Sequence, residues 1–141
     1  MRNINPIATS QYIEKADHLL QGMKLLGEDA GSYRSGIGLL AVHSAISLTD
    51  AIMIGCTGRR GKYQDHLQSA RALEELCRSS RVRDRKGVQH LHWLLSQKNV
   101  IAYEHRRLDD NSIRMAMDRA EKFSAWAYNC FKEILRAQAS A

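Results

Sequence analysis

The chain has 141 residues, 44% of them apolar, which is enough for one domain with a real core and too few for two comfortable ones. That apolar share excludes a disordered chain, and the single proline, Pro6, leaves everything after it able to be helical. Twenty-one Lys and Arg against fifteen Asp and Glu give a net charge of +6, a balance that favours anionic partners such as RNA or nucleotides.

The first periodic segment runs from about Ser10 to Leu26, with Tyr12, Ile13, Ala16, Leu19, Leu20, Met23 and Leu26 at helical spacing. Thr9 or Ser10 is placed to cap its start and Gly27 to end it. The second runs from about Tyr33 to Ile54, with Ser32 as its expected cap. Its core stripe is Ile37, Leu40, Ala41, Ser44, Ala45, Leu48, Ala51 and Ile52. A second, small and polar stripe joins Gly36, His43, Ser47, Asp50 and Ile54. His43 and Asp50 on it are a chemically usable pair, although a buried histidine bonded to a carbonyl is the commoner outcome for such a position. The polar residues of this segment argue against a membrane-spanning helix.

Gly55 to Lys62 reads as a loop with three glycines and the cations Arg59, Arg60 and Lys62. A third segment follows from about Asp65, its cap, to Cys77, with Leu67, Ala70, Leu73, Leu76 and Cys77 facing inward. The stretch from Arg78 to Gly87 carries five cations and one acid and reads as a mobile basic loop. The fourth segment starts after Gly87 with Val88, Leu91, Trp93, Leu94 and Leu95 and leads into Lys98-Asn-Val-Ile-Ala-Tyr-Glu-His-Arg-Arg107. Asp109 or Asp110 then caps a fifth segment reaching about Gln138. Its stripe is Ile113, Met117, Ala120, Phe123, Ala127, Phe131, Ile134 and Leu135, with Trp126 off-centre and suited to a second interface.

Strand signals are nearly absent, so the expected fold is all-α: an antiparallel up-and-down helical bundle of four to five helices. A single domain over 1–141 is expected, with 1–8 and 137–141 as flexible ends. Strict alternation of helix direction would put the Arg59–Lys62 loop and the Lys98–Arg107 stretch at the same end of the bundle. Cys56, Cys77 and Cys130 are far apart in sequence and in no metal spacing, and read as reduced thiols of a cytoplasmic protein. Neither a metal site nor a cofactor is expected. Met1 to Pro6 lacks the apolar region of a signal peptide.

The Lys98 stretch holds the densest chemistry. On a continuous helix Lys98, Ala102 and His105 share one face, and Asn99, Tyr103 and Arg106 the next. Together these faces would hold a phosphate between cations with a titratable imidazole nearby.

Leu40-Ala-Val-His-Ser-Ala-Ile with Asp50-Ala, Lys98-Asn-Val-Ile-Ala-Tyr-Glu, and Ala120-Glu-Lys-Phe-Ser-Ala-Trp together resemble the HEPN superfamily (higher eukaryotes and prokaryotes nucleotide-binding domain) over most of the chain. The resemblance implies a small helical bundle, a homodimer with an interface near Lys98 to Arg107, and binding of RNA, a nucleotide or a protein partner such as a nucleotidyltransferase. Catalytic members are metal-independent ribonucleases with an arginine and a polar residue followed by histidine. Here Lys98-Asn99 stands at the arginine position and His105 follows, so His105 and Lys98 are the candidate catalytic residues. Asn99, Tyr103, Arg106, Arg107, Arg59 and Arg60 are candidates for phosphate or nucleic-acid binding, with His43 and Asp50 lining the site. A lysine is a mobile point charge where arginine offers a planar fork, so little or no cleavage is expected. The alternative is an endoribonuclease acting as a toxin or defence component of a toxin–antitoxin pair. A second match, Arg85 to His90, crosses Gly87 before the fourth segment and reads as chance in so arginine-rich a chain.

Overall fold

The computed structural model describes residues 6–58, 66–103 and 109–140; positions 99 and 101–103 are described by their backbone alone. Five helices account for nearly all of them: α1 (Pro6–Leu26), α2 (Arg34–Thr57), α3 (His66–Ser79), α4 (Lys86–Tyr103) and α5 (Asp110–Ala139). No strand occurs among the described residues, and the expected all-α bundle is the observed fold.

Local chemistry explains most of the ends. Pro6 sits in the first turn of α1, where its missing N–H is no loss, so the helix starts before the expected Thr9 or Ser10 cap. At the start of α2 the expected Ser32 cap gives way to a turn in which Ser32 N–H donates to Asp29 O at 3.1 Å, and no side chain caps the helix. α2 ends on Gly58, whose φ of 76° lies in the left-handed region and whose N–H returns to Ile54 O at 2.9 Å. Asp109 caps α5 as expected, its carboxylate accepting from Ser112 N–H at 2.7 Å. The expected cap Asp65 lies outside the described residues.

α2 is the central helix. Ile37, Ala41, Val42, Ala45, Leu48, Ala51, Ile52 and Cys56 are all buried, and so are Ser44, Ser47 and Thr49. Two of these hydroxyls are accommodated within the helix itself: Ser44 donates to Ala41 O and Thr49 to Ala45 O, each at 2.8 Å. By length and composition alone α2 would pass for a membrane-crossing helix, but 78% of its most apolar window is covered by the rest of the bundle. Phe123 of α5, Met23 of α1, Leu73 of α3, and Leu91 and Leu94 of α4 complete the core around it.

Contacts fix the directions. α1 and α2 form an antiparallel hairpin, in which Gly22 faces Leu40 and Gly36 faces Leu26. α5 runs in the same sense as α2: Arg34 pairs with Asp110 at one end, and Gln138 donates to Cys56 O at 2.8 Å at the other. α4 runs against α5, with Gly87 beneath Trp126 and Trp93 near Arg119. α3 runs against α4, with Glu74 4.0 Å from His92. Thus α1, α2, α4 and α5 alternate as an up-and-down four-helix bundle, and α3 is laid on its flank in the same sense as α2.

That last relation departs from the strict alternation expected. The link from α2 to α3 is a crossover, and α4 returns along α2 in the opposite sense. Gly58 closes α2 beside the C-terminal part of α5, whereas α4 ends at Tyr103 toward the start of α2, so the described helix ends that border the two basic stretches lie at different ends of the bundle. Arg59, Arg60, Lys62 and 104–107 lie outside the described residues.

The stretch after α3 also differs from the mobile loop expected. Arg81 adopts φ 60° and lets Val82 N–H return to Cys77 O at 2.9 Å. Val82 is buried at 3% exposure, and Arg85 Nε donates to Val82 O at 3.1 Å. Trp126 of α5 then pins this turn, its indole N–H donating to Asp84 O at 2.8 Å while its ring lies on Gly87 and 5.8 Å from the ring of Phe123. Off the centre of the α5 stripe, Trp126 packs on the turn between α3 and α4.

Candidate functional site

The candidate site is built on an edge of α2 where, among the described residues, Ser35, Leu39 and His43 are exposed. His43 lies there, exposed, so it is not the carbonyl-bonded core histidine that sequence statistics favour. The polar stripe expected around it divides: Ser47 and Ile54 turn into the core, while Asp50 is half-buried two turns, about 10 Å, further along the axis.

Two other helices bring cations to His43. Lys98 of α4 and Lys15 of α1 both act on its imidazole, and with partial enclosure of the ring they hold its pKa below the ordinary histidine value. Burial is the largest cause, Lys98 the second and Lys15 the third. α4 continues as helix through Tyr103, which the face argument for Lys98 and Tyr103 requires. Lys98 is half-buried.

Of the residues expected from sequence, Lys98 and His43 are the two that lie within electrostatic reach of each other. Asn99 and Tyr103 sit on the helical backbone of the same last turns of α4. His105, Arg106, Arg107, Arg59 and Arg60 lie outside the described residues.

Lys15 is the residue that sequence reasoning missed. It carries no motif and sits on the polar side of α1; only the register of the α1–α2 hairpin places it by His43. It also lines an open hollow of about 350 Å³ along α1, with Gln11, Glu14, His18 and Leu19. Leu39, one turn before His43 on the same edge of α2, is 36% exposed and adds an apolar patch.

A second histidine on the far side behaves alike. His90 of α4 is half-buried, with Nδ1 3.5 Å from the Arg119 guanidinium, which also lies 5.3 Å from the centre of the Trp93 ring. Burial, then Arg119 and Lys122, lower its pKa, with Asp118 opposing.

Both shifts have one consequence for stability. Unfolded histidine titrates near 6.5, so as pH falls through about 6.5 the unfolded chain takes up protons that His43 and His90 in the folded chain refuse. Folding stability should therefore fall between about pH 7.5 and 5.5, and the loss should level off below the folded-state values. The urea midpoint measured at those two pH values checks this; a flat or rising midpoint on acidification would contradict the assignment of both shifts.

Among the described residues, no group of three or more His, Cys, Asp or Glu is arranged to hold a metal ion. The surroundings of His43 suit an oxyanion: two lysines act on the ring, and the imidazole is able to gain a proton and donate it once an anion arrives. Comparison of the sequence with protein-family profiles and with curated proteins finds no match.

Proposed function

We propose that this protein is a HEPN-like homodimeric module of the cytoplasm that binds the phosphates of RNA or a nucleotide, with little or no cleavage. The observation that carries the reading is that His43 is exposed on α2 with Lys98 of α4 and Lys15 of α1 both within electrostatic reach of its ring. Two lysines and an imidazole are a phosphate-binding set, and the adjoining hollow and the exposed Leu39 offer room and apolar surface for a sugar or base. The net charge of +6 draws polyanions to the whole molecule, and the trio selects a place for one phosphate on it. The chain has lysine where catalytic members of the resembling family have arginine, which weighs against strong phosphate gripping and so against turnover.

The test is incubation of the purified protein with a short single-stranded RNA in EDTA at low salt, following binding by fluorescence anisotropy and integrity by gel. The expected result is weak binding that fades as salt rises, with the RNA intact. Absence of binding at low salt, or binding indifferent to salt, would contradict the proposal. Rapid cleavage that His105→Ala abolishes would establish the nuclease reading in its place.

A further inference from the structure

The three cysteines are separated by 20 and 52 intervening residues in sequence, yet all are buried in the core. Two of them meet. Cys77 near the end of α3 and Cys130 of α5 place their sulfurs 3.4 Å apart. A disulfide needs about 2.05 Å, so the sulfurs must approach by about 1.35 Å for the bond to close. The pair also has a route to solvent. A groove of about 420 Å³ lies between the α3–α4 turn and α5, lined by Val82, Trp126, Asn129, Cys130, Lys132 and Arg136 among others. Cys130 stands in its wall with 2% exposure, and Cys77 lies directly behind.

We propose that Cys77 and Cys130 are a reversible redox pair that closes to a disulfide when a peroxide enters this groove, tying α3 to the four-helix bundle. The position has leverage, because α3 is the helix laid on the flank and the tie would fix its end to α5.

The geometry suits the chemistry. Either sulfur can donate in the bond between them, so when one thiol loses its proton the other can stay protonated and donate to it. Cys130 stands in the groove wall and is the thiol that meets the peroxide; as thiolate it is the nucleophile. Its sulfur attacks one peroxide oxygen, the O–O bond breaks, and water leaves after protonation, giving a sulfenic acid. Cys77 then loses its proton and displaces hydroxide from the Cys130 sulfur, forming the S–S bond and a second water. Two thiols and one hydrogen peroxide become one disulfide and two waters. Thiol–disulfide exchange with a small dithiol returns the reduced state.

The test uses the full reduced chain under native conditions. It is treated with a small excess of hydrogen peroxide, unfolded, alkylated and mapped by peptide mass spectrometry. The expected product has lost two hydrogens, with Cys77 and Cys130 joined and Cys56 alkylated. Its Tm is higher by on the order of 5–10 °C, a gain that dithiothreitol reverses. Cys77→Ser should form no disulfide and should carry Cys130 on to the sulfinic acid. If that variant does not fold, the map of the native chain decides alone. A disulfide that includes Cys56, irreversible oxidation of Cys130 in the native chain with no disulfide, or both thiols unchanged by peroxide would each overturn the proposal.

Discussion

Trp126→Ala is expected to destabilise the fold by about 3 kcal/mol and to lower Tm by about 10 °C. Three losses add up. The indole ring covers Gly87 so closely that no side chain fits there, and its removal leaves a void at the start of α4. The ring contact with Phe123, a residue 1% exposed, goes with it. The carbonyl of Asp84 loses the indole N–H that binds it at 2.8 Å. Trp126→Phe keeps most of the covering area and loses the hydrogen bond, so it should cost nearer to about 1 kcal/mol. Because the indole holds the turn between α3 and α4, amide exchange in 80–87 should rise more than elsewhere. Urea denaturation checks the size; a loss under about 1 kcal/mol for the alanine variant would mean the turn holds itself.

Reversing both site lysines, Lys15→Glu with Lys98→Glu, should weaken RNA binding roughly tenfold or more at low salt. Each change removes a cation beside His43 and adds an anion there, so the edge that attracts a phosphate then repels it. The slope of log affinity against log salt should also flatten, by about 0.7 for each phosphate of a single strand that the variant no longer neutralises. Arg81→Glu with Arg83→Glu changes the net charge by the same amount on the α3–α4 turn. That turn precedes Lys86, which is twelve residues or about 18 Å of helix from Lys98, so this control should leave binding within about twofold. Equal losses from the two pairs would mean that only net charge attracts RNA. Both sets of side chains reach the surface, and neither pair should disturb folding by more than about half a kcal/mol.

The contrast between these two predictions follows what the chain makes legible. Helices announce themselves locally. Seven of the eight residues assigned to the second segment's core stripe are buried in α2, Leu40 being the half-buried exception, and Asp109 caps α5 from its position alone. Periodicity encodes which residues face inward but not which helix lies opposite. The sense of α3 depends on contacts such as Cys77 with Cys130 and Trp126 with Asp84, which join residues far apart in sequence and leave no local trace. Reading the connection after α2 as a hairpin therefore reverses the sense of α3. The same limit hides Lys15, an ordinary lysine on the polar side of α1 until α2 folds back against it. Lys98 and His43 are legible as chemistry, because a lysine and a histidine on helix faces mean the same thing wherever the helices go. That they stand together is a property of the α2–α4 packing.

Titration of His43 by NMR tests the phosphate-site assignment most directly. The C–H resonances of its imidazole are followed from about pH 8 to 5 in the protein alone, and again with inorganic pyrophosphate or a short RNA at saturation. Without ligand the expected pKa lies below the ordinary value of about 6.5, because burial first, then Lys98 and Lys15, oppose the charged ring. A clear rise is expected once the anion neutralises them, with Lys98→Ala raising the unliganded value and shrinking the ligand-induced change. A His43 that titrates normally in the protein alone, or whose pKa does not move on anion binding, would contradict the assignment of Lys15, His43 and Lys98 as one phosphate-binding site.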